Sequence, residues 1–125
     1  MTSTDNEKTY SKLEFPGLLV GDLAHWYFEG DWLCRQYKTG GWKSTLMVAN
    51  TVAHLAEAAW HHPEMTVSYA QVIVKLQTHD TGGVTDRDLA LARMIEQVVQ
   101  WQPGKDGGPL PGTPNDDPRY RYIVY

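Results

Sequence analysis

The feature that most constrains the fold of this chain is residues 42–59, a stretch without glycine or proline that lies between Gly40-Gly41 and Pro63. Small and apolar side chains recur along it at helical spacing: Ala49, Val52, Ala53, Ala56 and Trp60. We expect a helix whose alanine-rich stripe lets a sheet or a partner helix approach closely. Because a proline pushes the residue before it out of the helical region, Pro63 ends this helix and leaves two adjacent histidines at its C-terminal end.

Strand patterns lie on both sides of this helix. Residues 25–29 and 32–38 are rich in aromatic side chains and flank the Gly30-Asp31 turn, which predicts a β-hairpin. Residues 65–69 and 71–77 predict two further strands, the second with alternating apolar and polar residues.

A capping pattern opens a second helix. Thr85 is followed three residues later by Asp88, and apolar residues then recur at helical spacing, which predicts a helix over residues 86–101. The chain has 125 residues, which fits one domain with one core. We place that domain at residues 20–102, after a polar arm of residues 1–19 that offers little surface to bury.

The segment after the second helix differs in composition. Five of the seven prolines and four of the eleven glycines lie between Pro103 and Pro118, so residues 103–125 read as an extended tail. The last seven residues alternate with β propensity, and they pack either on the body or on a neighbouring subunit.

Charge and cysteine content exclude several classes of protein. Eleven Lys and Arg against fifteen Asp and Glu give a net charge of -4, which argues against direct nucleic-acid binding. Cys34 is the one cysteine, so no intrachain disulfide forms and the chain suits a reducing cytoplasm. No stretch approaches the ~20 apolar residues of a membrane span. We therefore expect a cytoplasmic protein without a membrane partner.

Three histidines lie at the ends of predicted helices and strands. His61 and His62 close the first helix and His79 follows a strand. An unperturbed imidazole has a pKa of about 6.5, which suits it for proton transfer at neutral pH. Glu57 lies one helical turn before His61, where a carboxylate could hold that imidazole's tautomer.

Other interpretations of these residues stay open. A histidine at a helix end also satisfies carbonyl groups and the helix dipole. His54, Glu57 and His61 occur at helical spacings that fit a metal site. Asp88 could act only as a capping carboxylate, and Trp60 could stack on a flat heterocycle or lie in the core.

Taken together, the motif Glu57-Ala-Ala-Trp-His61-His62-Pro63, five residues, Tyr69, nine residues, His79, eight residues and Asp88 resembles the signature of the pterin-4a-carbinolamine dehydratases. The similarity covers approximately residues 20–101. It implies an α+β fold in which helices pack on one face of a four-stranded antiparallel sheet, and association into homodimers or homotetramers.

The resemblance also implies a reaction, the dehydration of 4a-hydroxytetrahydropterin to quinonoid dihydropterin during tetrahydropterin recycling. His61, His62 and His79 match the family's active-site histidines. Supporting positions are expected at Glu57, Trp60, Pro63, Thr78 and Asp88. The pterin is the substrate, and no metal or other cofactor is expected.

Three departures from the family pattern and one alternative function accompany this resemblance. One departure is the tail of residues 103–125, which extends past the end of a typical member. Trp60 replaces an expected polar residue, and Thr39-Gly40-Gly41 replaces aromatic and polar residues before the long helix. Some dehydratase-like proteins act without catalysis, as a transcription-factor dimerisation cofactor or a RuBisCO assembly factor. An assembly factor of that kind is the alternative function.

Overall fold

The computed structural model describes residues 7–114 and 116–124. Its strands are β1 (Tyr27–Glu29), β2 (Trp32–Lys38), β3 (Glu64–Ser68) and β4 (Gln71–Leu76), and its α-helices are α1 (Phe15–Leu18), α2 (Trp42–Ala59) and α3 (Asp86–Val99). Single 3₁₀ turns occur at Lys12–Glu14, Gly21–Leu23 and Pro103–Lys105. The predicted hairpins and both long helices are confirmed. β1 is shorter than predicted, because the Trp26 N–H donates to the Leu23 carbonyl at 3.0 Å and keeps residues 25 and 26 in a turn.

The four strands form one antiparallel sheet in the order β1-β2-β4-β3. Leu33 and Tyr37 of β2 are paired with Leu76 and Val72 of β4, and all four side chains are buried. They lie on the face of the sheet that the helices cover, together with Val48, Val52 and Ile95 from α2 and α3. The predicted α+β fold with a four-stranded antiparallel sheet is therefore confirmed.

Side chains alternate along a strand, so Cys34 lies on the opposite face of the sheet. It is nevertheless fully buried between Tyr27 and Lys75, its paired residues on the adjacent strands. Burial raises the pKa of the thiol to about 11. This cysteine is a small buried residue that stays protonated at neutral pH.

A buried carboxylate joins α3 to the sheet. Glu96 accepts hydrogen bonds from Trp26 Nε1 at 2.9 Å, from Tyr37 Oη at 2.6 Å, and from Arg35 Nε and Nη2 at 2.9 and 3.1 Å. Both charged partners are about nine-tenths buried. Because a buried charge is tolerated only when it is paired and hydrogen-bonded, these four contacts fix where α3 lies on the sheet.

The tail packs on the body of its own chain. Ile123 pairs with Thr39 and is 1% exposed, and the Val124 N–H donates to the Lys38 carbonyl at 2.9 Å. A Cβ at Gly40 would lie 2.5 Å from the Arg121 carbonyl oxygen, so a glycine is needed for the tail to approach. Residue 125, the last of the seven residues with predicted β propensity, lies outside the described residues.

The N-terminal arm also contacts the body, from its seventh residue onward. Tyr10 pairs with Val84, and its hydroxyl donates to Asp86 at 2.6 Å. Residues 1–6 of the predicted arm lie outside the described part of the chain. Within the described residues, no helix is long and apolar enough to cross a membrane.

Candidate active site

The turn that ends α2 positions both adjacent histidines. Trp60 follows the helix in the left-handed conformation, with φ 51° and ψ 46°. The His61 N–H donates to the Ala56 carbonyl at 3.0 Å, and the Trp60 N–H donates to the Glu57 carbonyl at 3.1 Å. This pair of hydrogen bonds is the Schellman motif. It reverses the chain direction, so His61 turns toward α3 and His62 remains on the outside of α2.

His61 contacts a carboxylate on the other helix. Its Nε2 lies 2.5 Å from Asp88 Oδ1, and the two side chains are 11% and 0% exposed. An ionised carboxylate can only accept hydrogen bonds, so in a neutral His61 the proton lies on Nε2. Nδ1 then has a free lone pair, and no partner for it is found among the described residues.

Asp88 is held by the first turn of α3. Its Oδ2 accepts from the Thr85 N–H at 2.8 Å and from the Thr78 hydroxyl at 2.7 Å. Thr85 and Asp88 form the predicted capping box at the start of the helix. One oxygen of Asp88 therefore caps α3, as the sequence predicted, and the other contacts His61.

The predicted pairing of Glu57 with His61 is wrong. Glu57 Oε1 instead lies 2.8 Å from His62 Nε2, and these side chains are 68% and 50% exposed. The left-handed conformation of Trp60 breaks the helical register, so His61 no longer follows Glu57 on one face. The Trp60 ring contacts His62 edge-on, with ring centroids 5.1 Å apart.

Of the remaining predicted positions, Thr78 contacts this site. Thr78 is buried and donates to Asp88, whereas His79 is exposed in the turn after β4 and makes no hydrogen bond within the described residues. Pro63 is half-buried in the segment that leads to β3.

The metal-site alternative is not supported by the positions of its residues. Glu57 contacts His62, and His61 contacts Asp88. Across residues 7–114 and 116–124, no three His, Cys, Asp or Glu side chains are grouped to hold a metal ion.

A cleft of about 710 Å³ lies between α2 and α3 beside His61. Its walls are mostly apolar and include Leu55, Trp60, Leu91 and Met94, with Arg87 at one side. Trp60 is 75% exposed, so its indole borders the cleft and does not fill it. His62 and His79 are not among the residues that line this cleft. Of the three histidines, His61 is therefore the one that faces this cavity.

Sequence reasoning missed the contact between the N-terminal arm and this region. Glu7 accepts two hydrogen bonds from the Arg87 guanidinium, with Nε at 2.9 Å and Nη2 at 2.5 Å. Hydrogen bonding to Arg87 lowers the pKa of Glu7. The two residues are 80 positions apart, and neither belongs to a motif, so no local signal could have paired them.

The chain is similar to several known proteins. The family model described as pterin 4 alpha carbinolamine dehydratase matches residues 8–98. A protein of Aquifex aeolicus that carries a provisional pterin-4-alpha-carbinolamine dehydratase name is 46% identical over 79 residues, which are 63% of this chain and 80% of that protein. A protein of Thermomicrobium roseum with the same provisional name is 40% identical over 81 residues, which are 65% of this chain and 87% of that protein.

A solved structure resembles most of the chain. The crystal structure of a transcriptional coactivator/pterin dehydratase from Brucella melitensis superposes with a TM-score of 0.65 at 28% identity. The superposition covers 74% of this chain and 99% of that chain.

Proposed function

Since the chain belongs to the pterin-4a-carbinolamine dehydratase family, we propose that it converts 4a-hydroxytetrahydropterin to quinonoid dihydropterin. The reaction breaks the bond between C4a and the hydroxyl oxygen. That oxygen takes up a proton and leaves as water, a ring N–H loses a proton, and its electron pair forms the new double bond to C4a. The reaction as written needs one proton donor and one proton acceptor, and it needs no cofactor.

The observation that carries the proposal is the 2.5 Å contact between His61 Nε2 and the buried Asp88. Asp88 fixes the tautomer in which Nδ1 is the basic nitrogen, and it stabilises the imidazolium that forms when Nδ1 takes a proton. We assign His61 as the base that removes the ring proton. His62 contacts Trp60 at the border of the cleft and is the imidazole that we assign to protonate the leaving hydroxyl, and Trp60 offers an apolar ring beside the substrate.

The test is the decay of chemically generated 4a-hydroxytetrahydropterin, followed by absorbance with and without the protein. We expect acceleration by the native chain, and a loss of about 10²- to 10⁴-fold in His61→Ala, the usual contribution of one acid or base. His54→Ala is the matched control, because His54 is an exposed histidine of α2, the helix that precedes His61. Absence of acceleration by folded protein would refute the proposal.

A second candidate function is protein binding without catalysis. The Brucella melitensis protein is titled a transcriptional coactivator as well as a dehydratase, and α2 here exposes Trp42, Leu46 and Met47 by 39% to 49%. Copurification of a stoichiometric partner, retained by a His61→Ala and His62→Ala double variant, would favour this function.

We also propose that the chain forms a homo-oligomer through β3. This strand is an edge of the sheet, and it leaves backbone groups on its outer side that another strand can pair with. Val67 on this strand is 39% exposed.

A further inference from the structure

A second cleft lies at the opposite end of α2 from His61. It occupies about 640 Å³ between the first turn of α2, the β3–β4 turn and the tail. The helix has 18 residues, so at 1.5 Å per residue the two ends are about 27 Å apart. The volume falls within the range of about 300–1,000 Å³ that is usual for small-molecule sites.

The side chains around this second cleft carry positive charge. Lys43, Arg119 and Arg121 line it, and no Asp or Glu is among its lining residues. Arg119 is paired with Asp117 at 2.7 Å, whereas Lys43 and Arg121 have no ion-pair partner in the described part of the chain. Two uncompensated cations thus share a concave surface in a chain whose net charge is -4. Such a surface concentrates small anions.

Backbone groups add to this positive potential. The first hydrogen bond of α2 runs from the Thr45 N–H to the Gly41 carbonyl at 3.0 Å. The N–H groups of residues 42, 43 and 44 have no acceptor among the described residues, and Gly41 has no side chain to cap them. These N–H groups supplement the two free cations, because the start of a helix attracts negative charge.

Aromatic rings form the remaining wall. Trp42, Tyr69 and Tyr120 line the cleft and are 49%, 72% and 55% exposed. An exposed ring beside cationic groups offers stacking for a planar ligand that also carries an anion.

We propose that this cleft binds a nucleoside monophosphate, with the phosphate on Lys43, Arg121 and the start of α2 and the base against Trp42 and the tyrosines. The family match ends at residue 98, and the wall of the cleft formed by Thr113 and residues 118–122 lies beyond it. The site therefore belongs to this chain's own tail and is independent of the proposed dehydration.

The test is isothermal titration calorimetry of the full chain with each of the four ribonucleoside monophosphates, with inorganic phosphate and with adenosine. We expect saturable binding of at least one monophosphate, and weaker binding of phosphate and adenosine. A Lys43→Gln and Arg121→Gln double variant should weaken the monophosphate about tenfold or more, because charge-assisted contacts are lost.

Controls separate this site from the active site. A Lys12→Gln and Arg93→Gln variant removes the same charge from exposed positions outside the cleft and should bind normally. His61→Ala should also bind normally. Trp42→Leu should weaken the monophosphate and leave phosphate unchanged. Failure of all four monophosphates to bind, phosphate binding as tight as theirs, or full affinity in the cleft double variant would each overturn the proposal.

Discussion

Glu96 is the residue on which the packing between α3 and the sheet most depends. Its two oxygens accept four hydrogen bonds, from Arg35 and Tyr37 of β2 and from Trp26, which directly precedes β1. Burial and the contact with Glu96 raise the pKa of the Tyr37 hydroxyl well above its usual value, so this tyrosine remains a donor at any physiological pH.

We expect Glu96→Ala to lower the free energy of unfolding by about 3–5 kcal/mol, because it leaves the Arg35 charge buried without a partner. Urea denaturation followed by circular dichroism measures the change. Glu64→Ala, at an exposed position, is the control and should stay within about 0.5 kcal/mol of the native chain. A loss below about 1 kcal/mol in Glu96→Ala would show that the network adds little to stability.

Some residues of the candidate site could be predicted from the sequence, and one of its contacts could not. Residue type and local spacing are enough to single out four of these residues: His61, His62, Thr85 and Asp88. The partner of Glu57 could not be predicted, because it depends on the backbone conformation of Trp60. A bulky residue gives no local sign that it adopts positive φ.

At the scale of elements, the turn at the end of α2 positions the residues of the candidate active site. An L-residue in the left-handed region costs roughly 1–2 kcal/mol relative to the right-handed helix, and glycine avoids this cost. Trp60 is 75% exposed, so removal of its side chain would lose little buried surface.

Trp60→Gly should therefore raise the free energy of unfolding by about 1 kcal/mol, because the left-handed position is strained for tryptophan. Thermal and urea denaturation measure the effect. Ala59→Gly, one residue earlier and within the helix, is the comparison and should lower stability by about 0.5–1 kcal/mol. Destabilisation by Trp60→Gly would mean that the contact of the indole with His62 outweighs the backbone strain.

Sequence periodicity predicted the long elements well because each has a clear apolar pattern and a clear stop signal. α2 is bounded by Gly41 and the turn before Pro63, and α3 by its capping box. The position of the tail could not be predicted, since one buried residue, Ile123, anchors it through a contact with Thr39, 84 positions earlier. Pairing at that distance leaves no local pattern.

For the whole molecule, the uncovered edge at β3 predicts association between copies of the chain. We expect sedimentation velocity to show a dimer or tetramer, and Val67→Lys to shift it toward monomer, because symmetric pairing of two β3 strands would bring two added charges together. Val20→Lys is the matched control, since Val20 is exposed and lies outside the sheet. A monomeric native chain would contradict this prediction.

The exposed indole of Trp60 gives the candidate active site an optical reporter. Its ring borders the cleft beside His61, and its centroid lies 5.1 Å from that of His62. The emission that disappears in Trp60→Phe therefore comes from an indole at the mouth of this cleft. Ligand entry into the adjoining cleft would perturb the same signal, so occupancy becomes visible without a label.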